Sequence, residues 1–319
     1  MRRRRALASL AAATLVPAAA RGQEAGRTYR LGAVITVPRT DASISTVLAE
    51  LNRQGFVEGR NLVVDPRGMD LRADQMEAAA REVAAAGPDL ILTGGAAATR
   101  AAQAATRTIP ILAITDDMVA EGLVGSLANR SGNTTGISIL APELDGKRQE
   151  LLIQLLPDAK KLAMLATAPG ERLVALQARA HGDGVDVAAV LAAKPDEIEP
   201  ALRHAREGGA TGLNILANSF LFAMRHRIFE TATALGLATM YQWPETIREG
   251  ALAAYGPSLD EMFRQRGRQA AKLLRGAQAS DMPIEQPTTV RLAINQKLAG
   301  RLGIAVPPTL LLRADEVVE

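Results

Sequence analysis

The chain has 319 residues and no cysteine, which excludes disulfides, thiolate catalysis, thiolate metal sites and lipid attachment through a cysteine. Its formal charge is +3, but Arg2, Arg3, Arg4, Arg5 and Arg21 fall in a stretch that reads as an export signal; removing these five leaves −2, and a nucleic-acid reading from net charge lapses. The remaining length points to two domains, and no later apolar run is long enough to span a membrane.

The stretch 1–23 opens with arginines, continues as an apolar segment from Ala6 to Ala20 and closes in Ala18-Ala19-Ala20-Arg21-Gly22-Gln23. A basic start, a short apolar core and small residues before the first polar segment describe a secretory signal peptide. Cleavage is expected near Gly22 or Gln23, giving a free periplasmic protein, and the paired arginines allow a twin-arginine route as well as general export. Residues 29–37 then form an apolar, β-branched run, hence a buried strand. Ile44, Val47, Leu48 and Leu51 recur at i, i+3, i+4 and i+7, one face of a helix that Asp41 or Ser43 can cap and Gly55 stops. A strand over 62–64 and a helix over 72–86, ended by Gly87-Pro88, follow. The third strand, 90–92, runs into Thr93-Gly94-Gly95 and an alanine-rich helix over 96–106. The fourth, 109–114, ends at Thr115-Asp116-Asp117; a short helix carrying Val119, Leu123, Val124 and Leu127 leads to a fifth strand over 133–139.

The alternation then restarts, with helices over 142–156, 171–180, 196–207, 219–235 and 259–274. Between them lie strands over 161–166, 185–191, 213–216, 238–241 and 252–255. A last strand over 290–294 precedes a short helix and a Pro-Pro tail. Strand–helix alternation with short connections predicts an α/β fold of two doubly wound, Rossmann-like parallel-sheet lobes. Ligands of such sheets bind beyond the carboxyl ends of the strands, which selects the loops 38–41, 93–97, 115–117, 166–170, 217–220 and 241–245.

The chemistry in those loops suits binding better than catalysis. His181, His204 and His226 are scattered, without metal-ligand spacing, and there is no G-x-S-x-G elbow or Walker A sequence. Thr93-Gly94-Gly95 can present N–H groups to an anion, or simply allow close strand–helix packing. Of Asp116 and Asp117, one is expected to cap the following segment and the other is free to hold a ligand ammonium. Arg39 can hold a carboxylate bidentately or lie on the surface. Phe222 and Phe229 are seven apart, share a helix face and read as core, whereas Phe220 sits at a strand–helix junction. Glu143, Lys147, Arg148 and Glu150 read as a solvated helix face. The only tryptophan, Trp243, and two of three tyrosines, Tyr241 and Tyr255, bracket Trp243-Pro244-Glu245, where rigid aromatic area adjoins a chain crossing. Trp243 is read as a cleft wall or as core.

Several stretches carry a family likeness: Gly55-Phe56-Val57-Glu58-Gly59-Arg60-Asn61, Gly132-Asn133-Thr134-Thr135-Gly136, Tyr241-Gln242-Trp243-Pro244-Glu245, and the C-terminal segment from Ala305-Val306-Pro307-Pro308 to Leu312-Arg313-Ala314-Asp315-Glu316. The chain resembles the exported substrate-binding proteins of ABC transporters, in the family related to tryptophan/tyrosine-binding proteins with a type I periplasmic-binding-protein fold. That resemblance implies three crossings between the lobes, expected near 136–140, 243–250 and 287–290. It divides the chain into 28–138 plus 250–287 and 139–249 plus 288–319. It also implies a small-molecule ligand, an ABC permease as partner, no nucleic acid, no cofactor and a monomer. With the loop rule, it places Arg39, Thr40, Asp41, Thr93, Gly94, Gly95, Thr115, Asp116, Asn218, Phe220, Gln242, Trp243, Glu245 and Tyr255 toward the ligand. Thr167-Ala168-Pro169-Gly170-Glu171 departs from the asparagine- and proline-rich loop usual in relatives, so an aromatic amino acid does not follow automatically. Two other readings stand beside transport: a periplasmic enzyme with Asp116 or Glu245 as base, and a sensor subunit for a membrane receptor.

Overall fold

The computed structural model describes residues 26–128, 132–139 and 141–319, so the expected export signal lies outside the described residues. The first lobe is built on β1 (Tyr29–Val34), β2 (Leu62–Val64), β3 (Leu90–Gly94), β4 (Ile111–Thr115) and β5 (Thr134–Ser138). They form a parallel sheet in the order β2-β1-β3-β4-β5. Three helices alternate with them: α1 (Ala42–Arg53), α2 (Met76–Ala85) and α3 (Ala96–Ala105). α1 starts where Asp41 accepts a hydrogen bond from the Ser43 N–H at 2.9 Å, and it buries Ile44, Val47 and Leu51. Val119–Val124 forms turns rather than the expected short helix. Asp117 accepts from the Val119 and Ala120 N–H groups, and Gly122 adopts φ 66°, which ends any helical run.

The second lobe begins with α4 (Ala141–Leu155) and continues through β6 (Lys161–Ala166), α5 (Glu171–Gly182), β7 (Asp186–Leu191), α6 (Ile198–Glu207) and β8 (Gly212–Ile215). The helix expected over 219–235 is two, α7 (Ser219–Ala223) and α8 (Arg225–Ala234), broken at Met224. β9 (Ala238–Tyr241) and β10 (Ala253–Gly256) follow. Next come α9 (Leu259–Leu274), β11 (Arg291–Asn295), α10 (Gln296–Arg301), α11 (Pro308–Leu311) and β12 (Glu316–Val318). The second sheet runs β12-β11-β10-β9-β8-β6-β7.

Two features of this sheet correct the expected course of the chain. The expected return to the first lobe at about residue 250 does not occur there, because β10 pairs parallel to β9 and antiparallel to β11, inside the second sheet. The reason lies in Pro244–Arg248, a 3-10 turn closed by the Thr246 hydroxyl on the Trp243 carbonyl at 2.6 Å. The Thr239 hydroxyl then accepts from the Leu252 N–H at 2.8 Å, so the chain doubles back beside β9 instead of leaving. It leaves after Gly256, where a β-carbon would stand 2.0 Å from the Gln242 carbonyl oxygen. From there α9 packs along α1 in the first lobe. The second correction is the antiparallel β11 and the unforeseen β12. Glu285 pairs with β5 through the Ser138 N–H and the Gly136 carbonyl (both 2.9 Å), so the chain re-enters the second lobe from the other direction. One apolar cluster runs through both lobes, from Leu31 and Val47 through Phe263 and Trp243 to Leu213 and Phe229, so the lobes touch.

Candidate ligand cleft between the lobes

The strand ends of both sheets face each other across a cavity of about 380 Å³. The first lobe supplies Thr36, Val37, Ser43, Gly94, Gly95, Thr115 and Asp116. The second supplies Asn218, Ser219, Phe222, Gln242 and Trp243. Leu259, Met262, Phe263 and Arg266 of α9 complete the wall. Gly95 adopts φ 81°, and a β-carbon there would lie 2.5 Å from the Ser219 hydroxyl oxygen. Its smallness therefore serves the approach of the two lobes, beyond the strand–helix packing that the sequence suggested.

At the end of β4 the two aspartates divide their tasks. Asp117 takes up the turn N–H groups at 3.0 and 3.1 Å, which leaves Asp116 to face the cavity. Burial pushes the Asp116 carboxyl up from its ordinary range, opposed by the positive charges of Arg172 and Arg148 in the other lobe. Those arginines both pair with Asp145, which is fully buried. Arg148 also donates to the Tyr255 carbonyl at 3.2 Å, and burial lowers its pKa to about 10. The expected solvated helix face is thus wrong for Arg148, which lies wholly inside, while Lys147 and Glu150 do form a pair at 2.9 Å.

Gly94, Gly95, Thr115, Asp116, Asn218, Gln242 and Trp243 line the cavity; the other expected contacts are placed elsewhere. Arg39 pairs with Glu58 at 2.6 Å and Thr40 is exposed. Asp41 caps α1 and meets Arg225. Thr93 is sealed in the first lobe, its hydroxyl 2.8 Å from that of Thr99. Phe220 packs against the core, and Tyr255 packs in the second lobe's own cluster. Glu245 caps the start of α9, accepting from the Ser258 hydroxyl at 2.7 Å and the Leu259 N–H at 3.1 Å. The aromatic reading of Phe222 also needs correction: it is a cavity wall, edge-on to Trp243 at 6.4 Å.

A model of the ABC transporter substrate binding protein family matches residues 31–318. The chain belongs to that family. Solved structures show the same fold. A conserved domain protein from Vibrio cholerae aligns at 23% identity with a TM-score of 0.79, over 91% of this chain and 99% of that one. An ABC domain from Streptococcus pneumoniae in complex with L-Trp aligns at 19% identity and 0.77, over 91% and 100%. A ligand-free, open substrate-binding protein with adhesive properties from Clostridium difficile aligns at 23% and 0.60, over 92% and 99%. No curated protein matches the chain.

In this substrate-binding protein the lobes are tied by a device that sequence reasoning missed. Arg225 of α8, buried on the Phe222 ring at 4.4 Å, donates to Glu249 at 2.6 Å in its own lobe and to Asp41 at 3.2 Å in the other. Arg225→Met should remove the cross-lobe bond, worth about 1.5–3 kcal/mol for a hydrogen bond between charged groups. The ligand-free variant is expected to show a larger radius of gyration in solution scattering than the parent; an unchanged radius would refute the clasp. Arg100 and Glu121 were missed because they lie on elements whose helical or turn periodicity gave no reason to aim them at a ligand, whereas Arg266 interrupts the apolar stripe of its helix.

Proposed function

We propose that this protein closes its two lobes on a small solute outside the inner membrane and delivers it to an ABC permease. The observation that carries the reading is the set of polar atoms around an otherwise apolar cavity. Trp243 Nε1 and Arg266 Nε are buried and have no hydrogen-bond partner, and beside them lie two polar pairs, Thr115 with Glu121 and Gln242 with Tyr241. Buried polar groups are almost always satisfied, so two unpaired donors on the cavity wall are what the acceptors of a ligand would complete. Family membership supports the same role, and the L-Trp complex of the streptococcal neighbour supports an amino acid or small organic acid as solute. Export through residues 1–23, a periplasmic location, a monomeric state and a division of labour between two lobes belong to this proposal. Of the bases weighed for an enzyme, Glu245 is occupied in capping α9.

Unfolding and refolding the protein strips any carried ligand. Screening the product by thermal shift and calorimetry against amino acids, organic acids and sugars should find a binder that compacts the protein in solution scattering. At a hundredfold excess over Kd, binding should stabilise by about 2.7 kcal/mol. No binder and no compaction across the panel would reject the reading, and turnover of a bound compound would favour an enzyme instead.

A further inference from the structure

α9 carries an anomaly within its apolar face. Leu259, Met262, Phe263, Arg266 and Ala270 follow a helical spacing, and one member of the stripe is an arginine. Arg266 is 3% exposed and lines the cavity. Its Nη2 donates to the carbonyls of Thr93 at 2.7 Å and Leu112 at 3.0 Å, which fix the guanidinium against β3 and β4. Nε has no partner, and no carboxylate among the described residues pairs with this side chain. A buried cation without a counter-ion is costly, and removing a charge from water is offset only when an anion answers it.

The other cations of the cleft already face acids. Arg148 and Arg172 share Asp145, and the same two arginines act on Asp116. Arg100 faces Glu121, whose carboxyl burial pushes up and whose charge Asp116 repels. Burial lowers the Arg266 pKa to about 9 with no acid opposing it, and the group stays charged at neutral pH. Ile114, Trp243, Met262 and Phe263 line the same cavity, and their apolar surfaces lower the local dielectric and strengthen any bond to an anion.

We propose that Arg266 receives the carboxylate of the ligand, so that the cleft selects small organic acids or zwitterions with an apolar body. The proposal rests on the solute-binding reading and names the class of solute. A planar guanidinium already held on one edge by two carbonyls loses little freedom on binding and offers its remaining N–H groups to a carboxylate. Asp116, on the wall supplied by β4, is placed for the ammonium of a zwitterion.

The refolded protein is titrated with L-tryptophan and L-leucine, their decarboxylated amines tryptamine and 3-methylbutylamine, the deaminated acids indole-3-propionate and 4-methylpentanoate, and D-arabinose as a neutral control. At least one carboxylate probe is expected to bind, its amine at least 100-fold more weakly and the sugar not at all. Arg266→Gln should weaken that carboxylate probe at least 100-fold, and Arg266→Lys by less. The comparison of acid with amine uses the unaltered protein, so it holds even if Arg266→Gln folds poorly. Equal binding of an amine, binding of the sugar, or an Arg266→Gln affinity within threefold of the parent would overturn the assignment while leaving solute binding intact. If no probe of any charge binds or compacts the protein, both readings fail together.

Discussion

Arg148→Met is expected to lower the stability of the protein by about 3–5 kcal/mol, read as a fall in the midpoint of chemical denaturation. Arg148 and Asp145 are both fully buried and paired, so removing the cation strands a carboxylate inside the second lobe. Arg172 still reaches Asp145, but its side chain is 32% exposed and answers only one of the two carboxylate oxygens. The loss extends beyond the pair, because Arg148 also holds the Tyr255 carbonyl and so ties α4 to β10 just before the chain crosses to the first lobe. Adding Asp145→Asn should recover part of the loss, since a neutral amide tolerates burial better than an orphaned carboxylate. Full additivity of the two changes, or a cost of under about 1 kcal/mol for Arg148→Met, would show that this cluster is not a buried ionic pair in solution.

The division between what the chain's pattern shows and what it hides follows from the range of the interactions involved. Alternating apolar strands and helices with clear caps, such as the Asp41 cap of α1 and the stripe of Ile44, Val47 and Leu51, are local and therefore readable. The split of Asp116 from Asp117 is half legible: that one of them caps is a local fact, whereas which one faces the cavity depends on the opposite lobe. β10 is legible as a strand but not as a member of the second lobe, because its membership is decided by the Thr239 hydroxyl thirteen residues away and by pairing with β11. Arg148 reads as a surface residue because arginine on a helix normally is one, and Arg225 carries no local signal at all; only tertiary partners, Asp145 for the first and Asp41 and Glu249 for the second, make burial tolerable. Arg266 is different. An arginine within the stripe of Leu259, Met262 and Phe263 breaks the helix's own period, and that conflict is written in the amino-acid sequence itself.

Trp243→Ala is expected to weaken carboxylate or amino-acid binding at least 100-fold and to lower stability by about 3 kcal/mol, the lower end of the range for deleting a large buried aromatic. The ring is 4% exposed, which argues for core, yet it lines the cavity, touches Phe222 edge-on and leaves its indole N–H without a partner. One side of the indole therefore already borders open space, and truncation removes fewer contacts than it would in a closed core. The N–H is separable from the ring. Trp243→Phe keeps part of the wall, so folding should lose less than in Trp243→Ala. Any ligand that accepts from the indole should bind more weakly by about 1–3 kcal/mol, because a buried acceptor then loses its donor. Calorimetry on the two variants with the probe that binds the parent best, set beside their denaturation midpoints, separates the roles. If Trp243→Ala destabilises the fold but leaves affinity within threefold, the ring packs behind the cleft. If Trp243→Phe binds like the parent while Trp243→Ala does not, the wall is apolar area alone and the unpaired N–H takes no part.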